Sequence, residues 1–375
     1  MPHVCILSCS HSHVDPRVTH KKARSFIDAG FRVTWVGPFH GQKEKPYGID
    51  YRFYSAPRYK HTRYLNIYKL TREAVKVINV DVYYAVEPDS AIAGIALSKI
   101  NHSKIVFSVH EQYHTDIIKN DNSSVINKLL GYIIYFIISE IIKKCDLVVG
   151  VGDIRLEPYK RLTTSMMVVR SALPLDLEVK KKKRETHSIR CSYPTIMHGK
   201  AVPSRGTFEL LEALSLLKNL HKIRAKCIFI NIWDRTRNNH EKNKFWSEVD
   251  RLEIHEYVEL VPEMKFGEML KTLSNCDIGL ILYGRDLGVN CMPNRLFEYM
   301  ASGVASVVPV YSNEAKKIVA DEQCGICIDC ENPEEIANGV ASLARDCGYL
   351  RRLKRNGKKA FRRTYNWENQ VRPLI

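Results

Sequence analysis

Two basic side chains, Lys200 and Arg205, lie five residues apart in the segment HGKAVPSRG (198–206). A strand-like apolar run, PTIMHG (194–199), leads into them, and a helical pattern opens at Gly206. A loop between a strand end and a helix start offers an anion both cations and the unpaired N–H groups of the first helical turn. The pattern predicts a site for a phosphate-bearing ligand, with two solvated surface charges as the alternative.

A carboxylate, Glu298, stands within the apolar helical pattern of PNRLFEYMASGV (293–304), where Gly303 is a typical helix end. The apolar face beside it consists of Leu296, Phe297, Met300 and Ala301. A carboxylate near a helix start can accept hydrogen bonds from both hydroxyls of a ribose, each worth about 1.5–3 kcal/mol. Backbone N–H groups of residues 291–296 can face phosphate, except at Pro293, which has none. The position favours nucleotide binding, and the alternative is that Glu298 lies at the edge of the apolar face and reaches water.

Both loops belong to a chain in which Val- and Ile-rich runs alternate with helical patterns such as 15–29 and 88–100. This alternation is typical of βαβ units and predicts an α/β fold with parallel sheets, whose ligands bind at the carboxyl ends of the strands. Strands are predicted at 3–8, 31–37, 82–86, 104–109, 146–151, 166–171, 194–199, 225–232, 257–261, 277–282, 304–310 and 325–329.

A chain of 375 residues is too long for one ordinary core and suits two domains. The break is expected at EVKKKKRETHSIRC (178–191), which has no periodicity and five consecutive basic residues. We therefore predict two doubly wound domains, 1–176 and 193–360, which face each other across a cleft and are joined by a basic linker at 177–192. The last segment, 361–375, is a candidate to cross back to the first domain.

The net charge of +16 indicates an anionic partner: nucleic acid, a phosphate-bearing small molecule or an anionic membrane surface. The chain has 11 scattered cysteines and begins without a secretory pattern, which favours free thiols in a reducing cytoplasm. The apolar run LLGYIIYFII (129–138) is shorter than the roughly 20 residues that span a bilayer. We expect a buried helix there, with contact to a membrane surface as the alternative.

Three further motifs suggest other chemistry. HEQYH (110–114) has the spacing of a zinc protease motif, but it directly follows a strand pattern and is not expected within a helix. CGICIDC (324–330) lacks the fourth ligand of an iron–sulfur site, so its cysteines are expected to be structural. The basic run RRLKRNGKKAFRRTY (351–365) suits a solvated helix face, a rim beside an anionic membrane or lipid-linked acceptor, or nucleic acid, for which no recognition module is present.

Several of these segments resemble the retaining glycosyltransferases of family 4, which have the GT-B fold. HGKAVPSRG is similar to their diphosphate-binding loop, and MPNRLFEYMASGVASVV to their donor-binding helix and the strand after it. CGICIDCENPEEIANGVASL and YNWENQ resemble the elements that follow. In the first half, DPRVTHKKARSFIDAGFRVTWVG, VYYAVEPDS and KIVFSVHEQY resemble one subgroup. The resemblance covers nearly the whole chain and is most specific at 288–303.

The resemblance assigns roles to individual residues. Lys200 and Arg205 would contact the donor diphosphate and act in catalysis, and Glu298 would be the second glutamate of a Glu-x7-Glu motif that binds the ribose. The first glutamate is replaced by Asn290, which leaves the donor sugar open. The remaining donor contacts would be Gly199, Asn294, Arg295 and Leu296.

The first domain would carry the acceptor and the reacting centre. His110 matches the histidine expected near the reacting atoms, and Glu111 follows it as a second catalytic candidate. Acceptor contacts would come from Asp15, Arg17, Asp89 and His110. The first loop, SCSHSHVDPR, departs from the family because it has no glycine.

The resemblance thus implies a cytoplasmic glycosyltransferase, which can also be peripheral on the inner face of the membrane. It would move a sugar from a nucleotide diphosphate to a glycan or lipid-linked acceptor, with retention and with closure that excludes water. Neither metal nor cofactor is expected, because basic side chains offset the charge of the diphosphate, and nucleic acid is not an expected partner. The alternatives are a nucleotide-sugar isomerase or hydrolase, a non-catalytic nucleotide-sugar-binding protein and, more remotely, a zinc hydrolase.

Overall fold

The computed structural model describes residues 1–55, 65–111, 125–178, 193–236, 238–289 and 291–375. The chain divides into two compact units. The first unit consists of residues 1–171 and 370–375, and the second of residues 172–369.

The first unit is built on a parallel seven-stranded sheet in the order β3-β2-β1-β4-β5-β6-β7. The strand order reverses between β1 and β4, so loops from both directions meet at the carboxyl ends of these central strands. The strands are β1 His3–Leu7, β2 Arg32–Phe39, β3 Asp50–Ser55, β4 Val82–Ala85, β5 Lys104–Val109, β6 Leu147–Gly150 and β7 Met166–Val168.

Helices cover both faces of this sheet. The helical pattern predicted at 15–29 forms a wide π-helical segment that passes directly into an α-helix. The helical segments are Val18–Ala23, Arg24–Asp28, Pro46–Gly48, Leu65–Ala74, Pro88–Asn101, Val125–Ile142, Asp153–Leu156, Glu157–Tyr159 and Arg372–Leu374.

The second unit has a parallel six-stranded sheet in the order β10-β9-β8-β11-β12-β13, again with a reversal, here between β8 and β11. Its strands are β8 Thr195–Lys200, β9 Lys226–Asn231, β10 Val258–Pro262, β11 Ile278–Leu280, β12 Ala305–Pro309 and β13 Gly325–Ile328. Its helical segments are Leu175–Leu177, Pro203–Arg205, Thr207–Asn219, Trp233–Thr236, Asn239–Arg251, His255–Tyr257, Phe266–Ser274, Arg285–Gly288, Arg295–Ser302, Asn313–Glu322, Pro333–Arg345, Cys347–Arg363 and, at the junction with the first unit, Trp367–Val371.

The predicted strands are confirmed, and one strand was missed. β1 and β12 are buried along their whole length, which is why they stand out as unbroken apolar runs. β3 has the sequence DYRFYS and lies at the edge of the sheet, mostly half-buried. Its polar and aromatic residues suit an edge strand and give no apolar run to detect.

The helix Val125–Ile142 contradicts one expectation. It extends the run 129–138 in both directions to 18 residues, and only 28% of it is buried. By length and composition alone it is the one described helix that could cross a membrane, a test that the core helix of a globular protein also passes. The expected buried helix is therefore wrong, because most of the large apolar side chains of this helix are exposed.

The cysteines are mostly free and dispersed. In the motif at 324–330, Cys324 and Cys330 are buried, whereas Cys327 is half-buried, and all three are free thiols. Cys347 is disulfide-bonded, so the expectation of free thiols throughout is wrong at this position.

Candidate functional site

The first loop of the second unit is shaped by two glycines with left-handed backbone. Gly199 (φ 100°) bends the carboxyl end of β8, and Gly206 (φ 69°) precedes the helix Thr207–Asn219. A Cβ atom on Gly206 would lie 2.6 Å from the carbonyl oxygen of Leu282. Only glycine fits this approach, which brings the loop with Lys200 and Arg205 against the segment that follows β11.

Two further segments of this unit, one with Tyr283 and one with Arg295, lie against the loop that contains Arg205. The Arg205 guanidinium carbon lies 5.4 Å from the ring centroid of Tyr283, directly after the Leu282 contact. From the other side, the Arg295 guanidinium lies 3.6–3.7 Å from the position that a Gly199 Cβ would occupy. These segments thus form one cradle, which we define by Gly199, Lys200, Arg205, Tyr283, Arg295 and Glu298.

Within the cradle, Glu298 pairs with Arg295. Arg295 Nε lies 3.0 Å from Glu298 Oε2, and the two side chains are only 16% and 15% exposed. The carboxylate is therefore mostly withdrawn from water and held by the guanidinium. Arg295 Nη1 is buried and has no hydrogen-bond partner in the described part of the chain, so the guanidinium retains a donor for a further ligand.

Sequence reasoning missed His198, the residue before Gly199 in β8. It is buried, and its ring nitrogen Nε2 lies 3.1 Å from Thr207 Oγ1, whose hydroxyl donates to the Val202 carbonyl. Burial lowers the pKa of His198 to about 3, and the nearby charges of Arg205 and Arg295 act in the same direction. His198 is therefore neutral, and its Nδ1, which has no hydrogen-bond partner among the residues that the structure describes, is left as an acceptor.

The other predicted donor contacts differ in their burial and in their neighbours. Lys200 Nζ lies 3.8 Å from Glu263 Oε1, so one of its neighbours is a carboxylate. Asn294 is exposed at the start of the helix, whereas Leu296 is buried and its N–H donates to the Pro293 carbonyl. Leu296 therefore supports the helix start by packing. Asn290 lies outside the described residues.

In the first unit, a buried carboxylate organises the glycine-free loop after β1. Glu87, at the carboxyl end of β4, accepts hydrogen bonds from Ser8 Oγ and Ser10 Oγ, both at 2.7 Å. The backbone N–H groups of residues 9–11 donate to the same carboxylate at 3.1–3.2 Å. Glu87 thus gathers the backbone donors and allows the tight loop to form without glycine.

His110 lies at the end of β5 in a buried polar cluster with Lys22 and Ser108. Lys22 Nζ lies 2.8 Å from Ser108 Oγ, 3.3 Å from His110 Nε2 and 5.2 Å from the ring centroid of Tyr84. Burial holds the pKa of His110 well below its usual value, and the charges of Lys22 and Arg17 lower it further. His110 is therefore neutral, and its buried Nδ1 has no partner among the residues that the structure describes.

The other predicted acceptor residues lie around the same edge of the sheet. Asp15 accepts a hydrogen bond from the Arg17 N–H at 2.7 Å, and its carboxylate lies 3.1 Å from His11 Nδ1. Burial opposes ionisation of Asp15, but His11 and Arg17 outweigh it and hold its pKa well below the usual range. Asp89 is half-buried in the first turn of the helix Pro88–Asn101.

For the motif HEQYH, the structure shows no set of zinc ligands among the residues that it describes. Glu111 is exposed, and residues 112–114 of HEQYH lie outside the described residues. Over the described ranges, no three His, Cys, Asp or Glu side chains are grouped to hold a metal ion.

Comparisons with known proteins agree with this architecture. Residues 179–360 match the model of the family "Glycosyl transferases group 1". No curated protein matches the chain. Among solved structures, sucrose-phosphate synthase from Thermosynechococcus elongatus has a TM-score of 0.75 at 12% identity, with coverage of 100% of this chain and 97% of that chain. HepE of Anabaena, in complex with UDP, has a TM-score of 0.75 at 13% identity and coverage of 100% and 98%.

A third structure, a glycosyltransferase from Rickettsia africae ESF-5, has a TM-score of 0.74 at 15% identity, with coverage of 100% and 96%. At identities this low, the structural likeness shows the fold alone. It confirms the predicted GT-B architecture of two parallel Rossmann-like sheets. The family match covers slightly less than half of the chain, and this part contains the cradle. The second half of the chain, residues 179–360, therefore belongs to the group 1 glycosyltransferases, and the whole chain has the GT-B fold of such enzymes.

Proposed function

We propose that this glycosyltransferase binds a nucleoside diphosphate sugar in the cradle of the second unit and transfers the sugar, with retention, to a glycan or lipid-linked acceptor held by the first unit. The observation that carries the proposal is the convergence of Arg205, Arg295 and Glu298 from two strand-to-helix loops. HepE of Anabaena, which shares the fold, has been solved with UDP and with UDP-glucose. UDP, GDP and ADP all remain candidate nucleotides for this chain.

The donor side supplies positive charge where the reaction creates negative charge. As the bond from the anomeric carbon to the diphosphate breaks, its electron pair goes to the leaving oxygen. Lys200, Arg205 and Arg295 offset that charge, and each 1.36 kcal/mol of stabilisation gives about a tenfold rate increase. His198, kept neutral by burial and by two arginines, adds no competing cation and offers an acceptor at Nδ1. These basic residues take the place of a metal ion.

Glu298 is assigned two interactions, one with Arg295 and one with the ribose of the donor. Its carboxylate pairs with Arg295, and it stands where the family resemblance puts the ribose contact. A carboxylate has about four lone-pair sites, so it can hold the guanidinium and accept from ribose hydroxyls together. Arg295 then fixes the orientation of Glu298 and keeps Nη1 for the diphosphate.

On the acceptor side, His110 acts as a neutral group. When Lys22 carries its proton it donates toward His110 Nε2, so the imidazole proton resides on Nδ1, and His110 donates from that atom. This suits positioning of a sugar or acceptor hydroxyl. The acceptor proton then goes to the leaving phosphate, and Asp15 and Arg17 complete the edge that holds the acceptor. We place the enzyme in the cytoplasm, on the inner face of the membrane when its acceptor is lipid-linked.

The test is a thermal-shift series with UDP, GDP, ADP and their sugars. One nucleotide should raise the melting temperature of the wild type, and Arg205→Ala or Glu298→Ala should abolish the rise. Lys317→Ala, which changes an exposed lysine paired with Asp321, is the matched control and should keep it. A shift that survives both cradle changes would contradict the donor site.

Product analysis separates the alternatives. A transferase consumes the donor much faster when the acceptor is present. A hydrolase or isomerase consumes it equally fast without acceptor, and a non-catalytic binding protein shows the thermal shift but no turnover with any acceptor.

A further inference from the structure

The helix Val125–Ile142 exposes an apolar stripe. Val125 is 83% exposed, Ile126 75% and Phe136 65%. The stripe follows the helical period, so its members share one side: Val125, Ile126, Leu129, Leu130, Tyr132, Ile133, Phe136 and Ile137. The opposite side packs on the sheet through Ile138, Ile141 and Ile142. The helix is thus apolar on two sides, and only one of them is used for folding.

Neighbouring helices extend the exposed apolar area. The helix Pro88–Asn101 packs against Val125–Ile142 and against Leu65–Ala74, so the three form one layer. Ile92 and Ile100 are exposed on the first of these, two helical turns apart. On or just after Leu65–Ala74, the exposed apolar residues are Leu65, Tyr68, Val75 and Ile78. An exposed apolar area of this size on one layer of helices marks an interaction site.

Basic side chains accompany the apolar ones. The exposed cations of this layer and its ends are Arg72, Lys76, Lys99, Lys128, Lys143 and Lys144. The acids Glu73 and Glu140 are paired with Lys76 and Lys143, at 2.8 and 2.6 Å. The sequence of the whole first unit holds 25 Lys and Arg residues against 15 Asp and Glu residues. The partner should therefore be both apolar and anionic.

We propose that this helical layer, called the docking layer and formed by Leu65–Ile78, Pro88–Asn101 and Val125–Lys144, binds the surface of an anionic lipid bilayer. The apolar stripe enters the boundary between headgroups and acyl chains, and the lysines and arginines meet anionic headgroups. The proposal rests on the proposed function, because a lipid-linked acceptor would be presented at such a surface.

The direction of the helix supports this link. It connects parallel strands β5 and β6, so it runs antiparallel to them and begins near their carboxyl ends, where His110 lies. The exposed fraction is greatest at that beginning, at Val125 and Ile126. The part of the docking layer that inserts deepest is therefore next to the edge to which we assign the acceptor.

A second copy of the chain fits the layer less well than a bilayer. A twofold interface pairs each surface patch with itself, so it would bring the excess cations of both copies into one interface. Like charges across an interface oppose association, whereas an anionic bilayer satisfies both the charge and the apolar area.

The test is flotation of the full chain with vesicles of phosphatidylcholine, with or without phosphatidylglycerol. The wild type should float with the anionic vesicles and much less with the neutral ones. The double variant Leu129→Glu/Phe136→Glu should lose about tenfold or more in bound fraction, because binding scales with the apolar area inserted. Leu220→Glu changes a residue of the second unit that is 69% exposed, and it should bind like the wild type.

A second variant, Lys128→Glu/Lys144→Glu, leaves the apolar stripe intact and should reduce the preference for anionic vesicles. Equal binding by wild type and both variants, or no vesicle binding by the wild type, would overturn the proposal. So would a concentration-dependent dimer that the Leu129→Glu/Phe136→Glu change dissociates while vesicle binding persists. The nucleotide thermal shift, measured on the same proteins, keeps the two proposals apart: a shift without vesicle binding rejects the docking layer alone, and vesicle binding without a shift rejects the donor site alone.

Discussion

Lys22 Nζ lies 3.3 Å from His110 Nε2, in a buried cluster where the ammonium also donates to Ser108 Oγ at 2.8 Å. Burial, together with the charge of Arg17 and against that of Asp15, lowers the pKa of Lys22 to about 7. The Tyr84 ring covers the ammonium from another side. The protonation state of Lys22 therefore decides whether His110 Nε2 receives a hydrogen bond from an ammonium group.

The pH dependence of stability should report this lysine. Below about pH 7 the folded and unfolded chains both carry the proton. Between about 7 and the ordinary lysine value of 10.5 the unfolded chain binds more protons, so the free energy of unfolding rises with pH. Between about pH 7 and pH 9 the rise from this group should be roughly 2–3 kcal/mol. Lys22→Met should remove it, which denaturant unfolding at several pH values measures.

The control for this experiment is Lys99→Met, which changes an exposed lysine and should keep the pH dependence of the wild type. If Lys22→Met retains the full rise between neutral and alkaline pH, the lysine is not held with a lowered pKa.

Glu87 should be a main determinant of the first unit's stability. Its carboxylate is buried and takes donors from Ser8, Ser10 and three backbone N–H groups, and hydrogen bonds to a charged group contribute about 1.5–3 kcal/mol each. Glu87→Ala leaves these donors unpaired and should lower the free energy of unfolding by about 3 kcal/mol or more. Glu87→Gln should cost less, since one amide oxygen still accepts. Glu44→Ala, an exposed acid in the same unit, is the control, and equal losses in both would argue against this role.

Features set by the local sequence pattern could be predicted, whereas contacts between residues far apart in the chain could not. The approach of the two segments could be predicted because Arg205 lies between a strand and a helix and Glu298 lies in the first turn of a helix, and a βαβ pattern puts both positions at one edge of a sheet. Glu87 and Lys22 could not, because their partners are 79 and 86 residues away, for Ser8 and Ser108 respectively. His198 ends an ordinary apolar run, and only its position between two arginines makes it part of the site.

For the helix Val125–Ile142, the sequence predicts the apolar positions but not whether they are buried. Periodicity identifies the apolar positions of Val125–Ile142, but a stripe that faces solvent has the same pattern as one that faces a core. β3 was missed because an edge strand needs little apolar area. Burial is a property of the packed layers, so sequence pattern alone could not decide it.

Arg295 and Glu298 should be energetically coupled. Each is about 15% exposed and each leaves a buried charge behind when the other is removed. In a double-mutant cycle with Arg295→Ala and Glu298→Ala, the coupling energy in unfolding should be roughly 1–3 kcal/mol. The exposed pair Lys317 and Asp321 should show about 0.5 kcal/mol or less. Additive losses at the cradle pair would mean that its ion pair contributes nothing to the fold, and a nucleotide effect there would then be due to binding alone.

Gly206 provides the sharpest test of how the cradle is assembled. An added Cβ would meet Leu282 O at 2.6 Å and Leu282 Cβ at 2.7 Å, in a backbone conformation (φ 69°) that L side chains rarely adopt. Gly206→Ala should therefore lower the free energy of unfolding by about 2 kcal/mol or more and reduce the nucleotide-induced thermal shift, because the loop with Arg205 must move away from Tyr283. Gly267→Ala is the matched control: its Cβ meets nothing within 4 Å and it lies in the helix Phe266–Ser274, so it should stabilise by about 0.5–1 kcal/mol. If Gly206→Ala keeps both stability and nucleotide response, the close approach of the two loops is not what holds the donor site together.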